Sequence, residues 1–517
     1  MGLLQSISAA LPLPAQENQW LVLVPSFVIT TLLVTIGVLY FNYNPSIPSN
    51  APRPFSKYSL PIIGALKFFT HREDFLFEGK KSSPNGNFSF IVGKYHVVGL
   101  SGPDGRKKFF ESKELAFAEG YAALFNGGPP PKKGSDPNYD PTESAFSKHF
   151  SSRLLHMLKR DILSNGTKLL CGDTKARLLE LANANVKITD PFESVYRIVF
   201  QLTMRTVGCN ELAEDDVQRE KVLQLYQVIE DSTTPATVIF PWFPGPAMIR
   251  RTIAGGRLYS IIQNIMDDRK KTGRRENDPL QHMMDMGDDT MAILTVVIGG
   301  LFAGLLNSGV NAAWLLVYLA ANPEWQDKIR QELYDTCAKH VEDKTAPLID
   351  QLCALDMDVW ESSFPTLDMC LKDSIRIQTL GTAFRRNITG RDVKIGDEVI
   401  PNGAVVTLSF NDFHFDPEMY PDPEKWDPSR YERGEDKKQP YGWTGWGAGR
   451  HPCLGMKFAK LEMNVIIAMF LACFEYELSD KNGGPGTVPP VNRNAHSATR
   501  PQQRPYLKYK VREGAFA

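Results

Sequence analysis

One thiol stands in an unusually loose backbone. The stretch 445–455, GWGAGRHPCLG, holds four glycines, one proline and Cys453, and the apolar run MKFAKLEMNVIIAMFLACF follows at once. Apolar residues at Phe458, Leu461, Val465, Met469 and Phe470 give that run helical period, which puts Cys453 at a helix N-terminus. Unpaired N–H groups and the positive end of the dipole favour a thiolate there, and a thiolate is a good metal ligand. Glycines on both sides let backbone approach a flat, bulky group without a Cβ in the way. Arg450 and His451 add cationic donors suited to carboxylates on such a group.

The spacing itself carries a resemblance. Trp446-x-x-Gly449-x-His451-x-Cys453-x-Gly455 resembles the haem-thiolate signature of the cytochrome P-450 monooxygenases, with Trp for the usual Phe and His for the usual Arg. The resemblance implies haem b, iron ligated by the Cys453 thiolate, and a mainly α fold with a small β region. It extends along the chain in the family's order. Asp373-Ser-Ile-Arg376 looks like the Glu-x-x-Arg helix motif, and Arg430 in PEKWDPSRY takes the arginine place of a second motif. In the family these three residues form a buried ion-paired cluster under the haem. Asp373 is one methylene shorter than Glu, so the cluster must close by a small backbone shift or bind more weakly. Alone, an Asp-x-x-Arg pair would be an ordinary i,i+3 salt bridge. His149 and Arg153 share one helical face and resemble the family's propionate-binding pair; a solvated basic face explains the same spacing. Arg385 and Arg386 fall where the family often places another propionate arginine. One of the two should point inward, and the sequence does not say which.

The oxygen chemistry is less clear. In the family, Ala-Gly-x-Asp/Glu-Thr-Thr kinks a long helix over the haem, and its acid and alcohol relay protons. Here LFAGLLNSGVNAAW keeps Ala303 and Gly304, but the acid becomes Leu306 and the first Thr becomes Asn307, with Ser308 the nearby hydroxyl. In one reading Asn307 or Ser308 orders a water that delivers protons, and the enzyme is a monooxygenase. In the other no proton delivery is needed, and the enzyme rearranges hydroperoxides or endoperoxides without a reductase. Asn accepts and donates hydrogen bonds but does not give up a proton at useful cost.

The elements that position these residues follow from the rest of the chain. Its 517 residues are 43% hydrophobic and 23% charged, the composition of a globular enzyme. A net charge of −1 gives no electrostatic case for nucleic-acid binding. The seven scattered cysteines form no C-x-x-C pair, so neither a disulfide framework nor a zinc ribbon is indicated.

Residues 20–43 form an uncharged run of 24 residues, long enough for a bilayer core of roughly 30 Å. Trp20, Tyr40 and Tyr43 sit near its ends as interfacial aromatics would. Glu17 precedes it and Arg53, Lys57 and Lys67 follow, so the positive-inside rule puts the body in the cytosol. The expected organisation is a lumenal N-terminus (1–19), a transmembrane anchor (20–43), a proline-rich extended linker (44–61) and a haem-thiolate domain (62–517), set in the endoplasmic reticulum membrane.

A hairpin is expected at 87–100, a strand-like region at 393–410, and a long helix from about Asp288 to Ala321. Breaks fall at 127–141 and at FPWFPGP (240–246), the latter read equally as core packing or as a membrane-dipping entrance. The resemblance further implies electrons from NADPH through the FAD and FMN of a separate cytochrome P-450 reductase, with cytochrome b5 as an optional donor. It also implies that Thr379–Phe384 border the substrate. Their apolar character suits a lipophilic substrate such as a terpenoid, polyketide or sterol-like compound, and the closest type is a microsomal, eukaryotic member, with fungal secondary metabolism as one setting. A non-catalytic membrane haem protein is the alternative from another class.

Overall fold

The computed structural model describes residues 20–43, 45–124, 145–232, 234–240, 244–496 and 498–516. The expected lumenal segment 1–19, the break at 127–141 and residues 241–243 of the entrance segment lie outside these. So do the side chains of Trp20, Tyr40 and Tyr43.

Helix α1 (Trp20–Tyr43) is a single run of 24 residues, and its side chains from Val24 to Ile36 are exposed. The proline-rich segment behind it is not a free spacer. Phe55 N donates to Ser89 O at 2.7 Å, and the Phe55 ring lies 5.3 Å from Phe75 and 5.9 Å from Phe88. Proline excludes helix but leaves extended backbone free to dock on a sheet edge, and Phe55 supplies the apolar anchor. The folded body therefore begins before residue 62.

The helices that matter for the site are α2 (Arg72–Lys81), α3 (Gly102–Glu111), α4 (Phe117–Leu124), α5 (Ala145–Met157), α6 (Pro191–Val207), α7 (Thr290–Ala321), α8 (Pro365–Gln378) and α9 (Met456–Cys473). The strands in chain order are β1 (Ser59–Leu60), β2 (Gly64–Ala65), β3 (Phe88–Val92), β4 (Tyr95–Leu100), β5 (Leu115–Ala116), β6 (Ile188–Thr189) and β7 (Thr382–Asn387). They continue with β8 (Val393–Ile395), β9 (Glu398–Ile400), β10 (Val405–Ser409), β11 (Gly447–Ala448), β12 (His451–Pro452), β13 (Phe474–Ser479) and β14 (Tyr506–Val511). The main sheet runs β1-β2-β3-β4-β10-β7-β5. The expected hairpin is β3–β4, turning at Gly93 (φ 53°). The 393–410 region is three strands, with left-handed turns at Gly396 and Gly403.

The long helix α7 is the axis of the fold. Asp289 caps it by accepting from Ala292 N, so it starts slightly later than the sequence suggests, and it ends at Asn322-Pro323. It is one continuous helix, apolar and long enough to cross a membrane by composition, yet most of its residues are buried against other helices. Glycine allows the close approach to α6: a Cβ on Gly309 would sit 2.9 Å from the Tyr196 ring. Near the middle of the helix two positions break the burial. Ala303 and Asn307, one turn apart, are exposed between buried Leu301, Leu305 and Ser308, so this strip of α7 faces open space.

Candidate functional site

Short contacts hold the cysteine loop in shape. Strands β11 and β12 form a two-residue hairpin, Cys453 N donates to Trp446 O at 2.7 Å, and Arg450 N donates to Phe110 O at 3.0 Å. Trp446 is half-buried against the main core. Gly447 and Gly449 have φ of 68° and 60°, the left-handed region that side chains rarely enter.

Three of the four loop glycines are required by the protein's own packing. A Cβ on Gly449 would lie 2.2 Å from Phe110 O, and one on Gly445 would lie 2.4 Å from Ile375 Cγ2. Gly455 alone among the four has room: its nearest neighbour would be Leu158 Cδ1 at 4.0 Å.

Cys453 is exposed, with exposed Leu454 and Met456 beside it. The helix proper begins only at Met456, which weakens the expected dipole effect. Surrounding protein pushes the Cys453 thiol up, while the Gly455 N–H works in the other direction. Accessibility and desolvation together describe a group on an inner wall, open to space yet flanked by protein. Because the isolated thiol stays protonated at neutral pH, binding a metal there must displace its proton.

Of the two candidate arginines, Arg385 is the inward one. It is 3% exposed, its guanidinium lies over Phe109 (4.5 Å) and Phe117 (4.9 Å), and Nη1 donates to Phe384 O. Its Nε is buried with no hydrogen-bond partner, and burial lowers its pKa to about 10. Arg386, on the other face of β7, donates Nε to Gly403 O at 3.1 Å and lies over Tyr95. His451 stacks on Phe117 with ring centroids 5.2 Å apart. Burial first, then the charges of Arg385 and Arg450, push its pKa down to about 4. Arg450 itself is exposed.

Arg153 does not stand free. Arg153 grips Asp288 with two bonds of 2.7 and 2.8 Å, and His149 Nε2 lies 3.7 Å from the same carboxylate. The guanidinium fork of Arg153 is thus engaged with Asp288, whereas His149 Nε2 is buried without a hydrogen-bond partner.

The structure does bring Asp373, Arg376 and Arg430 together, all at most 1% exposed. Arg376 Nε lies 2.7 Å and Arg430 Nε 3.3 Å from Asp373 Oδ1. Asp373 also accepts from Asp427 N at 2.7 Å and Tyr431 OH at 3.1 Å. Arg376 donates further to the carbonyls of His414 and Pro423, and Arg430 pairs with Glu435 at 2.8 Å. The shorter carboxylate therefore closes the cluster.

The Cytochrome P-450 family model matches residues 52–507, nearly the whole folded body. The chain belongs to the cytochrome P-450 family. Its similar relatives include the cytochrome P-450 monooxygenase AacuE of Aspergillus aculeatus, 33% identical over 89% of this chain and 92% of that protein. Another is the cytochrome P-450 monooxygenase nsrP of Aspergillus novofumigatus, 32% identical over 88% and 89%. The solved structure of retinoic acid-bound cyanobacterial CYP120A1 shares the fold with a TM-score of 0.70 at 18% identity, covering 90% of this chain and all of that one. The activity class is that of a haem-thiolate monooxygenase, an oxidoreductase.

On the strip of α7 that this cytochrome P-450 leaves open, Asn307 Nδ2 donates to Ala303 O at 2.8 Å. A carbonyl cannot donate, so this bond fixes the amide orientation and leaves Oδ1 as the outward atom. Ser308 is buried on another face, beside Thr203 and Glu462.

Sequence reasoning missed Glu462. It is fully buried on α9, and neither oxygen reaches hydrogen-bond geometry with a partner. Burial raises its pKa to about 8, an effect tempered by the hydroxyls of Ser308 and Thr203. The signal was present: one acid between Leu461 and Met463, one turn from Phe458 and Ile466, on the apolar face of the helix.

Proposed function

We propose that this cytochrome P-450 holds haem b through Cys453 Sγ and oxidises a lipophilic small molecule. The observation that carries this is the pairing of an exposed Cys453, in a loop shaped by protein contacts, with a buried Arg385 whose Nε lacks a partner. An orphaned guanidinium N–H fits an anionic oxygen, and the propionates of haem supply such oxygens. His451, neutral at pH 7, adds a hydrogen bond there without a charge. Gly455 leaves space beside the sulfur. When bound, the haem iron supplies the oxygen chemistry, and thiolate ligation favours O–O cleavage.

The chain's own residues do the rest. The Asp373–Arg376–Arg430 cluster fixes α8 against the segment that leads into the cysteine loop. Ala303 and Asn307 line the distal side, and Asn307 Oδ1 holds a hydroxyl or water as an acceptor. Electrons come from NADPH through a flavoprotein reductase, as family members use. Helix α1, exposed along its described side chains, serves as a membrane anchor with the body on the cytosolic side. The relatives in Aspergillus species support a fungal metabolite as substrate.

Replacing Cys453 by Ser will remove the thiolate-type Soret band of the reduced carbon-monoxide complex. Retention of that band sinks the assignment. Product analysis with NADPH and reductase against a panel of lipophilic metabolites tests the reaction.

One observation favours a second reading, a reductase-independent hydroperoxide or endoperoxide rearrangement: the atom Asn307 presents accepts and does not donate. Brisk consumption of a lipid hydroperoxide without NADPH, and no reductase-driven product, would select it. Restoring a hydroxyl with Asn307→Thr will change product formed per NADPH several-fold if this residue governs proton delivery. An unchanged ratio and product pattern would rule that role out.

A further inference from the structure

A second buried cation lies away from the cysteine loop. Arg72 opens α2 and is 3% exposed, yet among the described residues no carboxylate lies within 4.0 Å of it. Its Nε donates to Phe68 O at 3.2 Å, and Nη1 reaches Thr382 Oγ1 at 3.5 Å. The guanidinium sits 4.5 Å from the Phe68 ring centroid and 5.8 Å from that of Phe384. The neighbouring acids are engaged elsewhere: Glu73 with Asn411 and Arg493, Asp74 with Asn494. Burial lowers the Arg72 pKa to about 9, so it remains a cation at neutral pH. Aromatic faces offset part of the cost of burying a lone charge, and an anion would offset far more.

His496 stands beside it. Its backbone is pressed so close that a Cβ on Gly381 would lie 2.1 Å from His496 O. Its ring hydrogen-bonds the Phe69 carbonyl, and burial together with the Arg72 charge pushes its pKa down to about 4. A neutral imidazole with its N–H committed has no donor left for an anion, so His496 walls the site without contributing a hydrogen bond to it. Like Cys453, His496 is exposed and yet desolvated, as a residue on an inner wall would be. Thr382 and Phe384 share one face of β7, whereas Arg385 points to the opposite face. Arg72 thus packs on the opposite face of β7 from Arg385, with Tyr121 in electrostatic reach of both cations, and lies against the 379–384 segment that family resemblance gives to the substrate.

We infer that Arg72, with Thr382 beside it, is the subsite for an acidic oxygen group, a carboxylate or an ionised phenol or enol, carried by the otherwise lipophilic substrate. This rests on the proposed haem-thiolate oxidation.

The test uses ferric holoenzyme at neutral pH, without reductase, titrated with naphthoic acid and with its methyl ester while the Soret shift is read. The acid should bind about tenfold more tightly than the ester. Arg72→Leu should erase that preference and leave ester binding unchanged, while Arg72→Lys, which keeps the charge, should retain most of it. Equal affinities in the wild type overturn the inference. So does an Arg72→Leu variant that weakens both probes alike, which would mark a structural role. Faster haem loss to apomyoglobin with the acid preference intact would assign Arg72 to the cofactor's carboxylates and also overturn it. The carbon-monoxide spectrum is recorded on the same preparation. A missing thiolate band sinks the haem reading, whereas a normal band without acid preference sinks the subsite alone.

Discussion

Replacing Asp373 by Asn will destabilise the haem-loaded enzyme by about 3–5 kcal/mol, the usual cost of removing one partner from a buried ion pair. The site offers no escape to solvent, since Asp373, Arg376 and Arg430 are all at most 1% exposed. Arg430 would keep Glu435, but Arg376 would be left with carbonyls alone, those of His414, Pro423 and Lys425. The asparagine amide would also place N–H groups where Tyr431 OH, Asp427 N and the Arg376 guanidinium donate, with Arg430 Nε 3.3 Å away. Donors would then face donors. Thermal unfolding with haem absorbance as the probe measures the effect, and a loss below about 1 kcal/mol would show that the carbonyl cage carries the arginines by itself. Asp373→Glu restores the family's usual acid yet adds a methylene to a filled site, so a smaller loss of about 1–3 kcal/mol is expected from overpacking.

Glu462→Gln will change the pH dependence of stability rather than abolish folding. The folded-state pKa of Glu462 is raised from the ordinary value near 4.5 to about 8. Below pH 4.5 both folded and unfolded chains hold the proton, and the contribution of this group is fully present. Between pH 4.5 and 8 the unfolded chain releases the proton while the folded chain keeps it, so stability falls as pH rises through this window. Gln has nothing to release. Wild type and variant should therefore match near pH 4.5 and diverge upward, with the variant ahead at pH 8 by on the order of a few kcal/mol. Denaturant titrations at several pH values read this difference, and parallel profiles would mean that the buried acid keeps its ordinary pKa. Because Glu462 adjoins Ser308 rather than Asn307, the reduced carbon-monoxide spectrum should stay unchanged.

The family, the cysteine loop and the long helix were legible because they depend on local spacing. Cys453, Gly449 and Trp446 lie within one short stretch, and the apolar period of α7 declares itself over many turns. What escaped depends on partners remote in sequence. Arg153 meets Asp288 across 135 positions, a contact that no helical period reveals. Adjacent Arg385 and Arg386 are indistinguishable until the phase of β7 is set by its pairing with β10, which opposes Arg385 to Val406 and Arg386 to Val405. The proline-rich segment read as a spacer because proline marks the absence of helix but says nothing of docking, which Phe55 decides through Phe75 and Phe88. The protein's own demand for Gly445 and Gly449, set by Ile375 and Phe110, was not legible either, because both partners are remote in sequence.

The packing of this loop bears on how the cofactor is taken up. A loop whose amides already answer Trp446 and Phe110, and in which Gly447 and Gly449 already sit in left-handed conformations, has surrendered its conformational entropy during folding. Little disorder remains to be lost when a ligand arrives, so loading this socket draws on free energy that chain collapse has already spent.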